Sequence, residues 1–462
     1  MGSVVDSRHE GYETFCAQWG FFLDSYEGGD DYLRGNYLFR HLKEDEESFE
    51  DRRARAYYYN FCRTVVDTYI AHLFRKGSAI FRDTQRSSEW ARFLANVDRK
   101  GNDMTAFVQE QVAPAAQIFG HVHVIVDKPP ANVAVASRAE EEAKGIRPYL
   151  VVVHPENLVD FCEDTSGVLV WARVREPAPV ESDPFAEETS DAPQYVYRTW
   201  TRTGWTLHDE QDRLIASGEH KLGRVPLVTV YNVASRKYPR QGVSALSDIA
   251  PINRSIFNWC SLNDEFLYRQ CFNILAIPDY PLAGKRRRLG TGNALTFPPD
   301  AAKTPYYIYP PVEPGEYLLR NIESAIEQIY RLAVLQAVSA REVRRAQSGV
   351  SKAYDFHMTN QNLAKKARNL EAAEEEIARL WGVWQGLEGF APRVEYPSDF
   401  SLQELSEDLR TDFNLLKMDI SGSFNKAVKK RITSRYLKLS DAEHARITRE
   451  IDGEPPEAER MA

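Results

Sequence analysis

The chain has 462 residues, of which 43% are hydrophobic, 27% charged and 11% aromatic. These are values of ordinary globular protein; they exclude gross disorder and fibrous repeats, and the length suggests about two to four domains. With 58 Lys and Arg against 67 Asp and Glu, the formal net charge is −9, which argues against a protein that coats nucleic acid with a broad basic face.

Helices come first along the chain. Tyr12, Phe15, Trp19, Phe22 and Leu23 form a stripe that predicts a helix over 11–26, broken at Gly28-Gly29-Asp30-Asp31. A second helix is expected from Phe49 to Arg75, with Tyr57, Phe61, Val65, Thr68, Tyr69 and Phe74 on its apolar side. A third, from Thr105 to Phe119, should kink or break at Pro114. From Gly120 the pattern turns to strands. His121–Asp127, Tyr149–Val153 and Leu227–Tyr231 are rich in β-branched residues, and Val168–Val174 and Tyr195–Trp200 read as antiparallel neighbours. Between the last two, Glu176–Pro193 holds six acidic residues, four prolines and no basic residue, the composition of an exposed loop.

Beyond Gly242 helix dominates. Ser244 is a candidate N-cap. Leu246, Ile249, Ile252, Ile256, Trp259, Leu262 and Phe266 then recur at helical steps to about Gln270, with a kink or a true start at Pro251. Asn273–Gly315 is non-helical, with eight prolines and the run Lys285-Arg286-Arg287-Arg288. Helix resumes at Glu316 on a face of Leu319, Ile322, Ile326, Ile329 and Ala333. Arg341, Arg344, Arg345 and Lys352 surround Ser348-Gly349. The longest helix follows, from about Lys352 to Gly386, on a near-heptad seam of Phe356, Leu363, Ala367, Leu370, Ile377, Leu380 and Trp384. The end is helical again, with candidate capping boxes at Ser401–Glu404 and Ser440–Glu443. The expected class is α+β, mainly helical.

Several of these features occur together in a known order. Gly242-Val243-Ser244-Ala245-Leu246 opens a long helix, an irregular basic insertion and a returning helix follow, and Ser348-Gly349 starts the next long helix. This order resembles the portal proteins of tailed bacteriophages. Three further places are similar: Glu46-Glu47-Ser48-Phe49 with Arg52 and Arg53, leading to Asn60 and Val65-Val66; Gly120-His121-Val122-His123-Val124; and Gly223-Arg224-Val225-Pro226-Leu227. The resemblance runs through most of the chain; its last 75 residues match only in being helical.

The resemblance implies a ring, typically of twelve subunits, at one capsid vertex of the virion, assembled in the host bacterial cytoplasm. Double-stranded DNA passes through its channel during packaging and ejection, without sequence-specific reading. Residues 1–241 would be the wing, 242–272 and 315–337 the stem helices, 273–314 the clip, 338–351 the tunnel loop, 352–387 the tunnel helix and 388–462 the crown. Implied partners are the terminase, a tail adaptor or connector protein, and capsid and scaffolding proteins.

One arginine per subunit becomes a belt of positive charge in a ring, able to hold phosphates without reading bases. Arg341, Arg344, Arg345 and Lys352 are therefore candidate DNA-facing residues; the alternative is ion pairing with Glu327, Glu342 or a neighbour. Lys285, Arg286, Arg287 and Arg288 are candidate clip contacts with terminase or adaptor, against a solvated loop or intersubunit pairs. The net acidity suits a channel in which DNA slides and is held at a few belts only. His121 and His123 share one face of a strand, but no third or fourth ligand is evident, so surface or interface histidines are expected and no metal. Trp171, Trp200 and Trp205 fit core or interface packing better than base stacking.

No catalytic residue and no cofactor are expected. Gly290-Thr291-Gly292 lacks the ending of a phosphate-binding loop, and there is no GxSxG or HExxH. Cys16, Cys62, Cys162, Cys260 and Cys271 form no CxxC pair and suit a reducing compartment. No apolar run reaches the ~18–20 residues of a membrane helix, so no membrane partner is expected. The start at Met1-Gly2-Ser3-Val4-Val5-Asp6 carries no signal-peptide pattern. Two other functions stay open: a different head–tail connector or minor capsid protein, and a nucleic-acid-processing enzyme with an unrecognised site.

Overall fold

The computed structural model describes residues 5–75, 80–129, 146–178, 195–270, 274–278, 294–298, 300, 303–308, 311–334, 349–400, 413–418, 420–436 and 441–453. It is an α+β protein, mainly helical, as the patterning predicts. Two compact units divide it, Met1–Phe400 and Ser401–Ala462.

In the first unit, α1 (Tyr12–Glu27) and α2 (Gly29–Arg34) meet at the glycine pair. The single helix expected over Phe49–Arg75 is instead two, α3 (Glu46–Arg55) and α4 (Phe61–Phe74). Asp45 caps α3 by accepting from the Ser48 N–H at 2.9 Å, and Asn60 caps α4 by accepting from the Arg63 N–H at 2.7 Å. The break between them is stabilised from far away. Asn253 donates to the Tyr59 carbonyl at 3.1 Å and accepts from the Phe61 N–H at 3.2 Å, so the exposed backbone groups are satisfied.

Strand β1 (Phe81–Arg82) leads to α5 (Ser88–Leu94). The kink expected at Pro114 is taken up just before it: α6 (Met104–Phe107) runs through a π turn, Val108–Val112, into α7 (Ala113–Phe119).

The next strands are β2 (His121–Asp127), β3 (Tyr149–Val153), β4 (Leu158–Glu163), β5 (Leu169–Pro177), β6 (Tyr195–Thr201), β7 (Gly204–Asp209), β8 (Leu214–Glu219) and β9 (Leu227–Tyr231). Their antiparallel sheets have the orders β3-β2-β9 and β4-β5-β6-β7-β8. In β2 the first six residues are all buried, His121 and His123 among them, so both faces of the strand are covered. The expected pairing of the strands around Trp171 and Trp200 is present, with Ala172 opposite Trp200. Glu176 and Pro177, expected to open a loop, belong to β5; Glu176 is held there by Arg198 at 2.8 Å. Residues 179–194 lie outside the described residues. Trp200 is fully buried, and the Arg198 guanidinium lies over the rings of Trp200 and Trp205.

Helix α8 (Ile249–Gln270) starts five residues beyond the expected cap. Ser244 does accept from the Leu246 N–H at 2.9 Å, but the helix proper begins where Pro251 sits in its first turn and needs no donor. The non-helical stretch that follows contains β10 (Ile274–Pro278), β11 (Ala294–Phe297) and β12 (Tyr306–Ile308), in the order β11-β10-β12. Then come α9 (Glu313–Leu332), three residues longer at its start than expected, and α10 (Gly349–Trp384), whose 36 residues reach about 54 Å at 1.5 Å each. Strand β13 (Val394–Glu395) closes the unit by pairing with β1.

One core joins α1, α4, α7, β2, α8, α9 and α10. The predicted seam residues Leu363, Ala367, Leu370, Ile377 and Leu380 are all buried in it. In the second unit, α11 (Gly422–Tyr436) packs on α12 (Asp441–Asp452), with Val428 buried and Lys430 bonded to the Asp452 carboxylate at 2.6 Å. The capping boxes at Ser401 and Ser440 begin outside the described residues.

Candidate functional site at the helical hairpin and the long helix

Helices α8 and α9 form an antiparallel hairpin. At one end Gly315 lies against the Phe266 ring, close enough that an added Cβ would sit 3.1 Å from it. At the other, both Asn253 and Tyr330 meet Phe61. The faces turned inward carry Ile256 and Cys260 on α8 and Ile322, Ala325 and Ile329 on α9, all buried in one core, while Phe257 packs on Tyr32 and Leu38. The outer faces are unusual. Leu262, Leu267 and Tyr268 on α8, and Tyr317 and Leu319 on α9, are exposed, Tyr268 at 65% and Tyr317 at 69%. Tyr317 and Leu319, two residues apart, stand on opposite sides of α9, so these are separate exposed apolar side chains and not one continuous patch.

Helix α3 braces this hairpin. Arg52, 2% exposed, donates to both carboxylate oxygens of Glu44 at 2.8 Å, to the Phe39 carbonyl and to Ser261 Oγ on α8. Arg55 pairs with Asp264 and Glu265 on α8 and lies 4.1 Å from the Tyr268 ring. The Arg52 contacts are buried and bidentate, so they fix geometry more than a surface pair does.

The inner side of α10 carries buried charges beside its apolar seam. Lys366 is buried: its ammonium donates to Gln117 Oε1 on α7 at 2.8 Å and to Asn232 Oδ1, and lies 4.6 Å over the Tyr69 ring. Burial, with some repulsion from Lys365, pushes its pKa down to about 7. Asn369, one turn on, donates to the Tyr231 and Asn232 carbonyls. Asn232 in turn donates to the Val243 carbonyl at 2.8 Å. Here the chain segments that lead into β2 and α8 touch backbone to backbone: a Cβ on Gly120 or Gly242 would collide with the other's carbonyl, and Gly120 has φ of 93°. A second polar group lies further along α10. Glu374, almost fully buried, takes Arg82 through two bonds at 2.7 and 2.8 Å and also accepts from the Tyr396 hydroxyl. At its end, α10 is fastened to β2 by the Trp384 indole, which donates to the Val126 carbonyl at 2.7 Å.

The histidines correct an expectation. His121 and His123 do share a face, with rings 5.1 Å apart, but they are interior and not on the surface. His121 accepts from the Gly242 N–H at 3.2 Å and packs on Trp19; His123 meets Thr229 at 3.0 Å. Burial pushes His121 down to about 3 and His123 well below its ordinary value, so both rings are neutral. Among the described residues no cluster of three metal-ligating side chains occurs, and no helix is long and apolar enough to cross a membrane.

The basic residues singled out in the sequence are not brought together here. Arg341, Arg344 and Arg345, and Lys285, Arg286, Arg287 and Arg288, lie outside the described residues; Lys352 falls within α10, its side chain not described. What the structure adds is an exposed basic stretch of α10: Lys365 and Arg368, with Met358, Gln361 and Val334, line an open cavity of about 570 Å³. Sequence reasoning missed Arg52, Arg82, Lys366 and Glu374 as interior groups. The signal for the last two was a charge placed beside seam positions of a heptad pattern.

No protein-family model matches the chain, and no curated protein does. Solved structures that resemble it include a chain of the neck of a native GTA particle computed with C12 symmetry, at 11% identity and a TM-score of 0.40, covering 94% of this chain and 99% of that one. A chain of the neck of an empty GTA particle computed with C6 symmetry has the same identity and score and covers 91% and 96%. Likeness at that level carries no argument about this chain's function.

Proposed function

We propose that this chain is a head–tail connector subunit of a phage-like particle, and specifically its portal: a ring at one capsid vertex through which double-stranded DNA is packaged and ejected. The observation that carries the reading is the hairpin of α8 and α9, interrupted by a small sheet and followed by the 36-residue α10. That is the stem, clip, stem and tunnel-helix order implied by the sequence resemblance. The exposed apolar side chains of the hairpin, among them Tyr317 and Leu319, are where neighbouring subunits would pack side by side, since a heterologous contact that closes on itself makes a ring. Arg341, Arg344, Arg345 and Lys352 are the proposed belt towards DNA, and Lys285–Arg288 the proposed docking surface for terminase and adaptor. The chain acts without a catalytic site of its own.

Electron microscopy of the purified chain, with its mass in solution, tests the reading. The expected result is a closed ring of about twelve subunits with an axial hole. A chain that stays monomeric at every concentration and salt overturns it. Within a ring, alanine at Arg341, Arg344 and Arg345 should impair DNA packaging or retention and leave assembly intact.

A further inference from the structure

The last turn of α9 is strained and clamped. Val334, which follows Ala333 at its C-terminus, has φ of 54°, in the left-handed region. For a β-branched residue this is a genuine outlier, because Cβ crowds the following carbonyl, at a cost of about 1–2 kcal/mol. Glycine is the usual occupant of such a helix end. Here the conformation is over-determined by two side chains from two other helices. Tyr69, on α4, donates its hydroxyl to the Ala333 carbonyl. Thr359, on α10, donates to the Val334 carbonyl at 2.7 Å. Tyr69 is itself held: Asn362 reaches its hydroxyl at 3.5 Å and the Lys366 ammonium sits over its ring. The amides of Ala333 and Val334 close the turn onto Ile329 and Arg331 at 2.9 and 3.0 Å.

We propose that this turn is a strained latch that locks α9 to α4 and α10, and that loss of either hydroxyl clamp lets Val334 pass to the right-handed region. Strain of this kind persists only where its surroundings hold it, so releasing the clamp frees the residue to relax. The latch makes the end of the second hairpin helix switchable while the rest of α9 stays packed through Ile322, Ala325 and Ile329. It does not depend on the ring reading, and its test reads only this chain.

Hydrogen exchange at the Ala333 and Val334 amides of the full-length protein is the measurement. Thr359→Val should speed exchange there about tenfold, the factor that ~1.4 kcal/mol represents; Tyr69→Phe should act in the same direction. Val334→Gly should slow exchange, because glycine adopts the left-handed turn without strain. In the Val334→Gly background the Thr359→Val effect should shrink to about threefold or less, the non-additivity expected of coupled neighbours. Faster exchange in Val334→Gly, or an equal Thr359→Val effect in both backgrounds, overturns the latch.

Discussion

The inner side of α10 and the outer side of the α8–α9 hairpin are built on opposite principles. Along α10, two buried charges are held by specific partners: Lys366 by Gln117 and Asn232, Glu374 by Arg82 and Tyr396. On the hairpin, Leu262, Leu267, Tyr268, Tyr317 and Leu319 face water. Burying a charge stabilises little by itself and specifies geometry, because any misalignment leaves it unpaired. Exposing apolar surface does the reverse: it specifies nothing within the subunit and favours association. The first region sets how the elements of the chain meet; the second is where, in the proposed ring, a neighbour would pack.

Substitutions should separate the two. The largest effect on subunit stability is expected from Glu374→Ala, which strands Arg82 in the interior. Breaking a buried pair costs about 3–5 kcal/mol, read as a lower denaturant midpoint. Next is Lys366→Met. The folded-state pKa of about 7 lies below the ordinary lysine value, so between the two the unfolded chain binds a proton that the folded one does not. Stability of the native sequence should therefore rise as pH is raised from about 7 to about 9. In Lys366→Met that slope should disappear. A slope unchanged by the substitution would mean that Lys366 is hydrated and not sealed in the joint. The smallest effect on the subunit is expected from Tyr317→Ser with Leu319→Ser, within about 0.5 kcal/mol for each exposed site. The same pair should weaken self-association measured by mass. Full assembly in this double variant would place the subunit contact elsewhere.

Much of the local structure was legible because it follows from periodicity. The stripe from Tyr12 to Leu23, the run from Ile249 to Phe266 and the seam of α10 repeat at helical steps, and the β-branched runs at 121–127, 149–153 and 227–231 became strands. The strands β4, β7 and β8 were not anticipated. Leu214–Glu219, for example, contains a glycine and alternates weakly, and it is a strand because β7 supplies its hydrogen-bond partners. The single helix expected over Phe49–Arg75 failed for a similar reason: the local signal is one capping residue, Asn60, and Asn253, nearly two hundred residues away in the chain, makes the break stable.

The sequence by itself determined the class, the main helices, the β-branched strands, the apolar seams and the family the chain resembles, since each depends on neighbours within a few turns. Tertiary structure decided what becomes of the polar residues within that pattern. His121 and His123 look the same on a strand whether they face solvent or core, and only the packing of Trp19, Gly242 and Thr229 around them makes them interior and neutral. Lys366 and Glu374 look like ordinary helix charges until α7, β1 and the chain after β9 close over them. The acidic balance of the whole chain excludes a broad basic coat but says nothing of which charges remain at the surface; burial and pairing, which depend on contacts distant in sequence, settle that.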